Sequence, residues 1–278
     1  MNLYKKIKNS AVKNINPKYL ELISKRGITL SKIPKHSSSV TSDLFLYRIE
    51  NNWSTFFELL NVNYLIDNDN LKYKIFEVEI IFFNNSGDLV ERFEIKNIRN
   101  LKHRINIKEI TGNLDIKHDG TFAVIHKNSP IWLKDYDCFL SERGYTGYEN
   151  NFYGPIKSYV HGNLDAIYKE SIGNIKQLGN FSFLKKKYFI QHRLLARYSY
   201  DFFWVNPTNR KQKLIIHELS ESNTIITKIQ IEPMGFYKYS YKKSSNKTNS
   251  IIKIQSRLYM ARPIVFKYME NSFDVFHG

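Results

Sequence analysis

One run of apolar positions occurs twice in this chain, and that repeat limits the fold more than any other sequence feature. In Glu91-Arg92-Phe93-Glu94-Ile95-Lys96 and Thr227-Lys228-Ile229-Gln230-Ile231-Glu232, Phe93 and Ile95 fall on Ile229 and Ile231 at an offset of 136 (231 − 95). The same offset carries Lys102-His103-Arg104-Ile105 onto Lys238-Tyr239-Ser240-Tyr241, and Ile80 onto Ile216. Ser129-Pro130-Ile131-Trp132-Leu133 matches Arg262-Pro263-Ile264-Val265-Phe266 at 133 (262 − 129), a slip that a loop absorbs. Solenoid and propeller periods run about 20–50 residues. A longer one predicts a duplicated domain, with residues 43–135 and 195–277 as equivalent units.

Each unit reads as β. Nineteen Phe and nineteen Tyr against twelve Gly suit pleated, half-buried surfaces. Leu44–Glu50 and Thr55–Asn61 read as a hairpin around Asn51-Asn52-Trp53. Tyr73–Phe83 and Leu89–Lys96 flank a turn with Gly87 available for positive φ. Val78, Ile80 and Phe82 alternate with Glu77, Glu79 and Ile81, so one face is expected to be buried. The short strands continue through Ile264–Tyr268 and Phe273–Phe276, and no crossover helix separates them. The fold class is therefore mainly all-β: tandem antiparallel β-sandwiches with a short N-terminal helical segment. The expected division is 1–42 for the helical segment and linker, where Asn16 caps and Pro17 opens a helix before Gly27. The first sandwich then spans 43–150, an inter-repeat connection 151–185, and the second sandwich 186–278.

The formal charge is +16, which invites a nucleic-acid partner. Against it, the lysines are scattered along the chain apart from Lys185-Lys186-Lys187 and the Tyr241–Lys247 turn. The chain is also rich in Lys, Asn and Ile together, residues with A/T-rich codons. The expectation is lysines spread over the surface, with any nucleic-acid association weak, purely electrostatic and lost at moderate salt. Cys138 is the only cysteine, which excludes an internal disulfide. Met1–Lys6 is not followed by an apolar stretch, and no run approaches the ~18 apolar residues of a membrane helix. A cytoplasmic location is expected.

No nucleophile elbow, P-loop, zinc-protease or cysteine-pair motif occurs, and no cofactor is implied. A His/His/carboxylate metal set from His126, His161 and Asp165 is the weaker candidate, because its members lie on separate strands. The stronger candidates lie between the repeats, where no counterpart is evident in the second unit. Arg143, Tyr145, Tyr148, Tyr159, His161, Asn163 and Asp165 combine flat rings with directional hydrogen-bonding groups. That mixture suits a polar small molecule, carbohydrate above all, or a protein partner, including a second copy of the chain. These residues are expected to share a cleft where the two units meet.

A family resemblance rests on the second half. Trp204-Val205-Asn206-Pro207-Thr208-Asn209 leads to Leu214–Leu219, then to Ile229-Gln230-Ile231-Glu232-Pro233 and Gly235-Phe236-Tyr237-Lys238. The late phrase Met260-Ala261-Arg262-Pro263-Ile264-Val265-Phe266 follows. This pattern resembles the small β-sandwich of the sensory rhodopsin transducer family, whose comparable late strand carries Pro-Ile-Val. The resemblance implies a non-enzymatic sandwich that oligomerises, with carbohydrate binding in some members, and it carries over no functional residue. The reading is a non-catalytic binding protein. The alternative is an enzyme acting on sugars or polysaccharide precursors, with His161 as acid/base oriented by Asp165.

Overall fold

Alternating apolar and polar side chains over five to ten residues favour pleated strands, and strands dominate the molecule. The computed structural model describes residues 42–60, 76–127, 132–133, 138–139, 144–155, 157–162, 166–169, 175–177, 181–190, 192–208, 210–221, 224–241, 250–258 and 262–278. The expected N-terminal helical segment lies outside the described residues.

The first half contains β1 (Ser42–Tyr47), β2 (Trp53–Leu60), β3 (Phe76–Phe83), β4 (Leu89–Ile98), β5 (Lys102–Asn106) and β6 (Gly120–Lys127). The short β7 (Trp132–Leu133) and β8 (Cys138–Phe139) pair with each other. They are followed by β9 (Tyr145–Asn150), β10 (Lys157–His161), β11 (Ala166–Lys169) and β12 (Ile175–Gln177). The second half contains β13 (Phe181–Phe189), β14 (Ser199–Val205), β15 (Gln212–Leu219), β16 (Thr224–Ile231), β17 (Phe236–Tyr241), β18 (Ile251–Leu258), β19 (Ile264–Tyr268) and β20 (Phe273–His277). All pairing is antiparallel. Sheet 1 runs β10-β9-β2-β5, sheet 2 β12-β11-β1-β6-β3-β4, sheet 3 β17-β14-β19-β20 and sheet 4 β13-β18-β15-β16.

Read in parallel, β1-β6-β3-β4 and β13-β18-β15-β16 have one strand order, and so do β5-β2-β9-β10 and β17-β14-β19-β20. The offset of 136 holds for β3 and β15 throughout (212 − 76 and 219 − 83). It does not hold for β4 and β16. Val78 pairs with Ile95 and Leu214 with Ile229, so Ile95 occupies the place of Ile229, not Ile231; bulges in β3–β4 absorb the slip. The proposed match of Ser129–Leu133 to Arg262–Phe266 also fails. By sheet position β19 is the counterpart of β9, and β20 of β10. The segment 145–161 therefore has an equivalent, and part of the expected 151–185 connection is sandwich: β10 joins sheet 1, while β11 and β12 extend sheet 2.

Two further expectations change. Leu44–Glu50 and Thr55–Asn61 form no hairpin, because β1 pairs with β6 and β11 while β2 pairs with β5 and β9. The chain crosses between sheets through Asn51 and Asn52, both at positive φ. One helix, α1 (Ile107–Asn113), was not foreseen; the Asn106 side chain caps it by accepting from the Glu109 backbone N–H.

Three apolar clusters hold the sheets. Phe45, Phe57, Phe82 and Phe122 fill the space between sheets 1 and 2; Tyr200, Phe202, Trp204, Ile216 and Ile254 fill that between sheets 3 and 4. The third cluster joins the halves. Leu44, Leu46, Ile81 and Ile125 on the other side of sheet 2 meet Phe203, Ile264, Phe266 and Val275 of sheet 3. This explains why Ile81 is fully buried although it alternates with the inner residues Ile80 and Phe82: β3 is covered on both faces. The Asn84–Asp88 turn also docks on the second half. Phe236 donates its backbone N–H to the Asn85 carbonyl, and Gly87 (φ 83°) lies so close to the Pro233 carbonyl that a Cβ there would overlap it.

Arg48, 3% exposed, sits at the centre of this junction. Its Nε is 3.3 Å from Asp119, and its guanidinium lies 4.3 Å from the Trp53 ring and 4.7 Å from that of Phe266. It donates to the Tyr268 hydroxyl (3.0 Å), which donates to Asp201 (2.7 Å). Burial holds the Tyr268 phenol well above the ordinary tyrosine range, so it remains a neutral donor. Lys238 and Ser240 complete the shell of Asp201. Truncating one partner of such a network leaves buried charge uncompensated. Arg48→Ala should therefore cost about 3–5 kcal/mol in chemical denaturation. A loss below about 1 kcal/mol, the scale of an exposed pair, would show that the junction does not depend on it.

Candidate functional site

The outer face of sheet 1 is built by alternation. On β9, Thr146, Tyr148 and Asn150 turn inward, and Tyr145, Gly147 and Glu149 turn outward. On β10, Val160 turns inward, and Lys157, Tyr159 and His161 outward. The register places His161 opposite Tyr145, Tyr145 opposite Glu58, and Glu58 opposite Arg104, one row across all four strands.

Side-chain contacts follow the rows. The Tyr145 and His161 rings have centroids 4.2 Å apart. Tyr159 lies over Gly147, where a Cβ would stand 2.5 Å from its Cε1. The Tyr159 hydroxyl accepts from Arg104 Nη2 at 2.9 Å. Arg104 and Lys102 both pair with Glu58, at 2.5 and 3.4 Å, and the Glu58 hydrogen bond holds the Arg104 guanidinium above its ordinary range. Lys157 pairs with Glu149 at 3.7 Å and lies over the Phe56 ring, which Arg104 approaches from another side. Tyr145 (41% exposed) and Tyr159 (39%) border an open depression of about 230 Å³, lined also by Glu58, Leu59, Leu60 and Lys102.

Of the residues expected from sequence, Tyr145, Tyr159 and His161 come together here. They line the outside of the first half, not a cleft between the halves. The His161 carbonyl reaches across to the second half, accepting from His277 Nε2 at 3.0 Å. Tyr148 is fully buried on the opposite face, donating to the Leu46 carbonyl at 2.8 Å, and so is excluded from a ligand surface. Arg143, Asn163 and Asp165 lie outside the described residues, as does the side chain of His126. Among the described residues no group of three His, Cys, Asp or Glu side chains is placed to hold a metal ion. Phe56, Glu58, Lys102, Arg104 and Lys157 were missed. The i, i+2 spacing of Lys102 with Arg104, and of Phe56 with Glu58, is the sequence signal that they share a face.

Among the described residues no helix is long and apolar enough to cross a membrane. A scan against protein-family models gives no match, and a search of curated proteins gives none either.

Two outcomes follow from this geometry. Gly147→Ala should displace the Tyr159 ring and break its contact with Arg104, seen as shifted Tyr159 ring signals in NMR spectra with the fold retained; unchanged signals would mean the ring does not rest on Gly147. His277 is held down at about 4, by burial first and then by the Arg262 guanidinium, against an ordinary 6.5. Between those values the unfolded chain binds a proton that the folded chain refuses. Stability should thus be complete above about pH 6.5 and fall toward pH 4. His277→Gln should flatten that part of the stability profile, and identical slopes for the two proteins would refute the assignment.

Proposed function

We propose that the chain is a non-catalytic binding protein made of two β-sandwiches related by duplication, and that the outer face of sheet 1 takes a polar ligand, carbohydrate fitting best. The duplication is supported by the shared order of eight strands and by the constant offset across β3 and β15. The binding reading is carried by one observation: two half-exposed tyrosine rings flank a largely apolar depression that Leu59 and Leu60 line together with the charged Glu58 and Lys102. A pyranose presents apolar C–H faces and a rim of hydroxyls. Tyr145 and Tyr159 would cover the former, while Glu58, Lys102 and Arg104 offer acceptors and donors to the latter. The resemblance to the sensory rhodopsin transducer sandwiches belongs to the same reading.

Glycan arrays followed by calorimetry test it. Tyr159→Ala and Tyr145→Ala should each weaken binding by about tenfold, or about 1.4 kcal/mol, with melting temperatures within a few degrees of wild type. If both variants bind like wild type, or if no neutral or acidic glycan is retained, the reading is wrong.

A further inference from the structure

Sheet 4 closes the far end of the molecule, and its outer face is the counterpart of the sheet 2 face that the halves bury between them. Alternation assigns its side chains. On β15, Leu214 and Ile216 point inward, and Lys213, Ile215 and His217 outward; on β18, Ile252, Ile254 and Ser256 are buried, and Lys253, Gln255 and Arg257 turn outward. The register gives two complete rows: Lys187, Gln255, Ile215, Lys228; and Phe189, Lys253, His217, Ile226. Five cations thus share one face: Lys187, Lys213, Lys228, Arg257 and the half-buried Lys253. No carboxylate stands among these outward positions. Among the described residues none of the five makes an ion pair. The lysines scattered in sequence are gathered by the fold. Strand spacing and rise put Lys187 and Lys228 about 14 Å apart across the strands, and Lys253 and Arg257 about 13 Å apart along one.

The His217 imidazole registers this field. Burial, then Lys253 and Lys187, hold it below its ordinary range, and its Nε2 has no hydrogen-bond partner among the described residues. It is therefore a neutral ring in the middle of a cationic face.

We infer that this face binds single-stranded nucleic acid, with phosphates on Lys187, Lys213, Lys228, Lys253 and Arg257 and a base stacked on Phe189. Uncompensated cations select a polyanion. Phe189, 59% exposed, offers a stacking surface at the edge of the sheet. Gln255 offers a hydrogen-bonding group of the kind that reads base edges once bases are unstacked. A lipid surface fits less well. Phe189 and Ile226 lie on opposite edge strands with Lys253 and His217 between them, whereas interfacial insertion needs a continuous apolar face. A duplex fits less well too, since its grooves admit a helix or a two-stranded ribbon and not the face of a four-stranded sheet.

The test is fluorescence anisotropy of the full chain with labelled single-stranded RNA and DNA oligonucleotides longer than the ~4–16 nucleotides typical of one such domain. A matched duplex, heparin and phosphatidylserine vesicles are run alongside. Either single strand should bind, with a slope of log affinity against log salt near −3.5 for five phosphates at about −0.7 each. The double variant Lys187→Glu/Lys253→Glu should bind at least tenfold more weakly and lose about 1.4 from the slope. Phe189→Ala should weaken binding several-fold with the slope unchanged, which a bare polycation would not show. Should the double charge reversal unfold the protein, Lys213→Gln/Lys228→Gln on exposed positions replaces it. Single-strand affinity unmoved by these charge changes overturns the inference. So does preference for duplex, heparin or vesicles, or indifference to Phe189→Ala.

Discussion

The arrangement of the whole molecule turns on a guanidinium that neither half could bury alone. Arg48 belongs to the first half, but its surroundings come from both: Asp119 and Trp53 on one side, Tyr268, Phe203 and Phe266 on the other. Moving a charge out of water is costly unless its hydrogen bonds and counter-charge are supplied. Trp53 and Phe266 supply ring faces, Asp119 the charge, and Tyr268 passes a hydrogen bond on to Asp201. Separating the halves would strip this shell and expose the apolar faces of sheets 2 and 3 together. A patch of that size is rare on monomeric proteins. The charge network and the apolar cluster around it therefore support one register of contact between the halves.

That contact is heterologous. Sheet 2 of the first half meets sheet 3 of the second, two sheets that are not counterparts. A head-to-tail contact repeated without closure builds a filament. Within the chain it occurs between sheets 2 and 3, and the faces at the corresponding positions of sheets 1 and 4 carry different side chains. The counterpart of Leu44, Leu46 and Ile81 on sheet 4 is a surface of Lys213, His217 and Lys253. The counterpart of the apolar sheet 3 face is the Phe56, Glu58, Arg104 and Lys157 surface of sheet 1.

The strands themselves were largely readable. Every expected strand of the second half is present, and the β3–β4 hairpin forms around a glycine at positive φ, because period-two alternation and turn chemistry are local signals. Layer assignment was not readable. Nothing local distinguishes a strand that pairs with its neighbour from one that crosses to the facing sheet, so β1 and β2 looked like a hairpin. The same limit applied to Ile81 and Tyr148. Ile81 looked like the less important side of an alternating strand and Tyr148 like a ligand-facing ring, and each is buried in the cluster that joins the halves. The same limit applies to four of the lysines: Lys187, Lys213, Lys228 and Lys253 are up to 66 residues apart (253 − 187), and only the β13-β18-β15-β16 order brings them onto one face. The candidate site was half legible. Tyr145, Tyr159 and His161 stood out by residue type, while their neighbours Glu58 and Arg104 arrive through long-range pairing with β2 and β5.

The outer faces of sheets 1 and 4 differ in how their cations are compensated among the described residues, and that difference is what separates the two proposed ligands. On sheet 1, Lys102 and Arg104 share Glu58, and Lys157 has Glu149, so the local charge is nearly balanced. An anion approaching it would have to compete with carboxylates already in place. A neutral polyol would not, because it needs only the unused donors and acceptors beside the two tyrosine rings. On sheet 4 the five outward cations have no carboxylate between them among the described residues, and their mutual repulsion is a cost of folding. A bound polyanion relieves that cost and releases its own counterions in doing so. Among the described residues the chain thus presents a charge-compensated aromatic face on sheet 1 and a basic face on sheet 4.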